Sequence, residues 1–72
     1  MNKELSLKFG QLIREIRLEK KLSQEELAYR ADVHRTYVGM VERGEKNITL
    51  ENIHKFCKGL DVSMEFLFQK LK

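Results

Sequence analysis

The sequence predicts an all-α fold of five short helices, and three observations carry that expectation. Apolar residues recur at the three- and four-residue spacing of helices, while no alternating pattern lasts beyond three residues. The 72 residues include no proline, the residue that most disrupts a helix interior. An apolar pair five positions apart also repeats four times, as Leu22 with Leu27, Val33 with Val38, Ile48 with Ile53 and Val62 with Leu67. This is the spacing of a hydrophobic staple, where the residue before an N-cap packs against the fourth residue of the helix that follows.

The first helix is expected over residues 7–20, with Phe9, Leu12, Ile13 and Ile16 on one stripe. The second spans 24–31, because Ser23-Gln24-Glu25-Glu26 has the form of a capping box, hydroxyl to the third amide and carboxylate back to the first. The staples then start a third helix after His34 (35–43), a fourth after Thr49 (50–58) and a fifth after Ser63 (64–71). Gly44 and Gly59 are expected to stop the third and fourth in the left-handed conformation. Between the second and third lie only Ala31-Asp32-Val33-His34, a length that makes two short helices cross steeply. Small Ala28 lets them approach, and Asp32 tolerates a left-handed turn.

Length and composition narrow the function. A chain of 72 residues holds one core, so residues 1–72 are expected to form a single domain. The longest uncharged run, Thr36–Val41, is six residues, far short of the roughly 20 that span a membrane. The charged N-terminal stretch has no apolar signal core, and a cytoplasmic location is expected. One cysteine, Cys57, forms no internal bridge and is expected to be a buried small hydrophobe. His54 and Cys57 share a helix face, but two ligands do not make a zinc site. With no phosphate loop, serine elbow or carboxylate cluster, neither an enzyme nor a metal, cofactor or small-molecule ligand is expected. The net charge of +3 points weakly to a polyanion, with residues 1–22 at +3, 23–47 at −1 and 48–72 at +1.

A helical wheel of the third helix sets Val38 and Val41 as the buried direction. The opposite face carries Thr36, Gly39, Met40 and Arg43, with Arg35 and Tyr37 on its flanks near the N-terminal end. Arg35 can bond guanine O6 and N7 in bidentate fashion, and Thr36 can bond a base or set its methyl against thymine. Gly39 removes bulk from that face. Met40 serves equally as padding against a thymine methyl or as a solvent-facing filler, and Tyr37 as a DNA contact or as a half-buried ring with its hydroxyl in water. Lys46 and Asn47, in the loop after Gly44, are candidates for phosphate. On the fifth helix Met64, Phe66, Leu67, Phe68 and Leu71 spread apolar bulk over more than one face, which predicts a head-to-head homodimer.

Ser23-Gln24-Glu25-Glu26-Leu27-Ala28, followed by Val33 through Gly44, resembles the phage-repressor type of helix-turn-helix, the Xre family, over the whole chain. The helix-turn-helix core is residues 23–44. Arg35-Thr36-Tyr37, the Glu42-Arg43-Gly44 exit and the Lys46-Asn47-Ile48-Thr49 loop are most similar to the controller proteins of restriction-modification systems. Asp32 stands where the family usually has glycine, and His34 where a serine, threonine or aspartate cap is commoner. The resemblance implies a lambda-repressor-like fold, a double-stranded DNA operator of pseudo-palindromic sequence, and transcriptional activation, repression or both. It implies that Gln24 binds phosphate and braces the start of the recognition helix, that Arg17 pairs with Glu42, and that Glu25 meets RNA polymerase. The alternative is an antitoxin or other protein-interaction module on the same fold.

Overall fold

Helix formation begins at Asn2, whose Oδ1 accepts the Leu5 amide at 2.7 Å. The structure, a computed structural model, describes residues 2–71. Among them run five helices, α1 (Lys3–Glu19), α2 (Gln24–Ala31), α3 (Arg35–Glu42), α4 (Leu50–Leu60) and α5 (Met64–Lys70), and no strand. The side-chain cap recurs at Ser23, Thr49 and Ser63, each accepting the amide three residues on. At Ser23 the box is complete, since the Glu26 carboxylate accepts the Ser23 amide at 2.9 Å. The Ser23 backbone amide, with its hydroxyl nearby, holds the exposed Glu26 carboxyl below its ordinary range. His34 occupies the N-cap of α3 without a side-chain bond.

Four helices end in the same way. Lys21, Asp32, Gly44 and Asp61 turn left-handed, at φ 61°, 58°, 73° and 58°. The amide of the next residue then closes back five positions, Leu22 to Arg17, Val33 to Ala28, Glu45 to Met40 and Val62 to Cys57, at 2.9–3.0 Å. In three of the four connections that next residue is apolar, and it also precedes the N-cap of the following helix. Leu22, Val33 and Val62 therefore serve at once as the C-terminal seal of one helix and the staple of the next. The fourth connection, from Gly44 to Thr49, is longer and carries Lys46 and Asn47 on the surface.

Two boundaries differ from the sequence expectation by more than one residue. Helix α1 starts at Lys3 rather than near residue 7, because the Asn2 cap makes helix of a polar segment outside the apolar stripe. Helix α4 passes through Gly59 and stops at Leu60, with Asp61 supplying the left-handed residue. Gly59 is a packing residue instead: a Cβ there would stand 3.0 Å from the Ala31 Cβ.

Helix α2 packs against both α3 and α4, α1 against α3, and α5 against α4. Phe9, Ile13, Leu27, Val38, Phe56, Leu60 and Leu67 meet in the centre, each fully buried. Cys57 lies in the same core, where burial pushes its thiol up from the usual value. No helix among the described residues is long and apolar enough to cross a membrane.

Where α1 crosses α3, Gly10 meets backbone directly, and a Cβ there would fall 2.2 Å from the Val41 carbonyl oxygen and 2.8 Å from that of Glu42. Neither backbone atom can swing aside, so Gly10→Ala must separate the two helices. The expected loss is about 3 kcal/mol, the upper end of overpacking costs. Gly59→Ala should stay within about 1 kcal/mol of wild type, because a milder clash is offset by better helix propensity. Denaturant unfolding of both variants checks this, and an unchanged midpoint for Gly10→Ala would contradict the close crossing.

Candidate nucleic-acid interface

The helix-turn-helix unit is built from α2, the Asp32 turn and α3. Val38 and Val41 are buried at 0% and 3% exposure, which turns the opposite side of α3 outward. Arg35, Thr36 and Arg43 are exposed, while Tyr37 and Met40 are half-buried. Arg35 makes no side-chain hydrogen bond among the described residues, so its guanidinium has all its donors available. Arg43 is held differently, with its Nε donating to the Glu45 carboxylate at 2.9 Å. That bond keeps Arg43 charged more firmly and draws the Glu45 carboxyl below its ordinary range. Both groups are on the surface, where water and salt screen such a pair and a stronger anion can replace the carboxylate.

Gly39 does not sit on the open face as the wheel predicts. It is buried beneath its neighbours, with the place of a Cβ 3.1 Å from the Arg43 Nη1 and 3.7 Å from the Gln24 Oε1. The missing side chain makes room for these two side chains rather than for a groove.

Gln24 also departs from expectation. Its Nε2 donates to Glu42 Oε1 at 3.0 Å, so it braces the end of α3 and not the start. The same carboxylate receives Arg17 in bidentate fashion, Nε to Oε2 at 2.7 Å and Nη2 to Oε1 at 3.1 Å. Arg17 spends Nη1 on the Leu22 carbonyl at 2.9 Å. Arg17 and Glu42 are 7% and 8% exposed, and no buried side-chain polar atom among the described residues lacks a partner. The group ties α1, the turn after it, α2 and the last residue of α3 into one unit.

Sequence reasoning did not find Asn52. On the first turn of α4, it donates Nδ2 to the Tyr37 hydroxyl at 3.0 Å, while the Tyr37 ring stacks on Phe56 with centroids 6.1 Å apart. Residues 37 and 52 meet only through the packing of α3 and α4, and no local pattern signals it.

The α2 N-terminus lies at the other edge of the unit. Ser23 takes the Glu26 amide, and the helix leaves the Gln24 and Glu25 amides without an intrahelical acceptor. Glu25 is exposed beside Tyr29, which is 89% exposed. Lys46 and Asn47 are exposed in the loop after Gly44.

On α5 the apolar residues separate. Leu67 is fully buried in its own core, so it is removed from the candidates for a contact between chains. Phe66 and Phe68 are 39% and 44% exposed, and Met64 and Leu71 are partly covered. Leu71 and Lys70 line a groove of about 580 Å³ with Leu7 and Leu12 of α1, and Phe66 lines a second groove with Leu12. Helices α1 and α5 thus border grooves where apolar side chains stand among the charged Lys8, Glu15, Glu19 and Lys70. Among the described residues no three His, Cys, Asp or Glu side chains gather to hold a metal ion.

The helix-turn-helix family HTH_3 matches residues 13–67. The chain is 49% identical over 63 residues to the control protein C.BamHI of Bacillus amyloliquefaciens, covering 86% of this chain and 78% of that protein. Its structure is similar to the restriction-modification controller protein C.AhdI from Aeromonas hydrophila, at a TM-score of 0.84 and 49% identity over 88% of this chain and 96% of that one. It is also similar to the C.Esp1396I controller protein, solved as a tetramer in complex with its natural 35 base-pair operator. There the TM-score is 0.92 and the identity 38%, over 97% of this chain and 92% of that one.

Proposed function

Because the chain belongs to the helix-turn-helix family, among the control proteins of restriction-modification systems, we propose that it regulates transcription by binding operator DNA in a sequence-specific way. The observation that carries this reading is the outward face of α3, polar and exposed at Arg35, Thr36 and Arg43 while Val38 and Val41 anchor its back. A helix so held enters a major groove with its N-terminal residues toward the base edges. Arg35 is assigned the bidentate contact to guanine, with Thr36, Tyr37 and Met40 beside it. Arg43 joins them by exchanging Glu45 for the DNA. Backbone amides at Gln24 and Glu25, with Lys46 and Asn47, take the phosphates, which fix position and carry no sequence information. The work is recognition rather than catalysis, and its place is the cytoplasm.

The regulator acts as a homodimer. Residues 1–72 form one domain, and the surface bordered by α1 and α5, with Phe66 and Phe68 exposed on it among charged side chains, is its self-complementary face. Phe66, Phe68 and Leu71 are the main contacts and Met64 a lesser one. Two recognition helices then lie roughly 34 Å apart and read a pseudo-palindrome. Glu25, acidic and exposed at the edge of the duplex, faces a basic partner on adjacent DNA, the role of RNA polymerase at a promoter. Such a complex activates or represses according to where its site lies.

Two experiments test this reading. Arg35→Ala should cost about 1–3 kcal/mol per half-site and relax the preference at one base position, whereas Lys46→Ala should weaken all sequences alike and flatten the salt dependence by about one unit. Competition binding on single-base variants of a duplex selected from random DNA separates the two, and an unchanged base preference without Arg35 would remove it from the reading set. For assembly, sedimentation of the full chain at micromolar concentration should show a dimer that Phe66→Glu or Phe68→Glu splits. A monomer in the wild type would refute the α1/α5 face.

A further inference from the structure

Asn52 stands three residues after the Thr49 N-cap, the place from which a capping-box side chain turns back to the cap amide. Its own amide does bond the Thr49 Oγ1, at 3.1 Å, but its side chain leaves α4 and crosses to Tyr37 on α3. There Nδ2 donates to the hydroxyl oxygen at 3.0 Å. The ring below is already fixed by stacking on the fully buried Phe56 at an interplanar angle of 26°. With both ring and oxygen held, the one freedom left to Tyr37 is the direction of its proton.

An amide NH₂ only donates, and a phenol hydroxyl both donates and accepts. Once the oxygen has accepted from Asn52, its proton must point elsewhere, and among the described residues nothing accepts it. We infer that Asn52 sets the hydrogen-bond polarity of Tyr37, committing its O–H to donate to an acceptor on the bound DNA. This rests on the DNA-binding reading above. The acceptor is an oxygen or nitrogen lone pair, on a phosphate or on a base edge. A water-facing tyrosine adapts to donors and acceptors alike, whereas Tyr37 held in this way rejects a donor such as an exocyclic amino group. Asn52 is thus a positioning residue for specificity, acting through Tyr37.

The test is a double-mutant cycle in affinity for a duplex that the wild-type protein selects from random DNA. Tyr37→Phe removes the proton and should weaken binding about tenfold, the worth of one directed hydrogen bond. Asn52→Asp replaces the donor by a carboxylate that accepts the O–H and turns it inward. It should fold, because an acidic residue is favoured in the first turn of a helix. Made in the wild type, it should lose about tenfold more than when made together with Tyr37→Phe, where only its added charge acts. An equal loss in both backgrounds, or no loss for Tyr37→Phe, would overturn the inference and leave the DNA-binding reading standing. Failure of the wild type to select any duplex would overturn both. Methylphosphonate substitution and single-base replacement in the duplex then identify the acceptor, since the Tyr37→Phe difference disappears where the right partner has been removed. Either location fits the inference.

Discussion

The recognition helix is held from its C-terminal end, by a carboxylate that would be costly to bury alone. Glu42 is the last residue of α3, and Arg17 and Gln24 donate to both its oxygens inside the fold. Charge removed from water destabilises a protein unless geometry and partners restore what hydration supplied. Here they do, since Arg17 meets Glu42 side by side and spends its remaining nitrogen on the Leu22 carbonyl. Gly10 makes the meeting possible. It lies two turns before Arg17 on α1 and lets that helix reach the backbone of Val41 and Glu42 without a side chain between them. The close crossing and the ion pair are therefore one constraint, and it fixes where the end of α3 lies.

The connections show how a short chain makes a definite shape from few residues. A domain of this size buries too little surface to leave its helix ends loose. Lys21, Asp32 and Asp61 each reverse the chain in a left-handed turn, and Leu22, Val33 and Val62 then seal one helix while stapling the next. The non-glycine turns cost about 1–2 kcal/mol each on steric grounds, less for aspartate, whose side chain bonds locally. The exception is the loop after Gly44. It is longer and polar, and it carries Lys46 and Asn47 on the surface after α3. Regular connections fix the scaffold, and the irregular one leaves side chains for a partner.

What the sequence disclosed follows the range of the forces involved. The Ser23 box, the staples and the Asp32 turn act within six residues and were legible, as was the outward direction of Arg35, Thr36 and Arg43, set by helix period alone. Glycine was read too locally. Gly44 takes a positive φ, but Gly10, Gly39 and Gly59 are helical, and their use is the space they leave for another helix or side chain. Gln24 on Glu42 and Asn52 on Tyr37 join residues 18 and 15 positions apart, and both depend on helix crossings that no spacing encodes. Leu67 belongs to the same class, since whether an apolar residue faces its own core or a second chain is decided by how α5 lies on α4.

The claim that buried pairing with Arg17 holds α3 in place is tested most directly by denaturant unfolding of four proteins: wild type, Arg17→Met, Glu42→Leu and the double variant. Each single change strands one charge in the interior and should cost about 3–5 kcal/mol, a large share of the stability of a small domain. The double variant leaves no stranded charge and should be more stable than either single. Single variants that unfold with the wild type, or a double variant whose loss is the sum of the two, would mean that Arg17 and Glu42 act independently and that α3 is held by its apolar contacts alone.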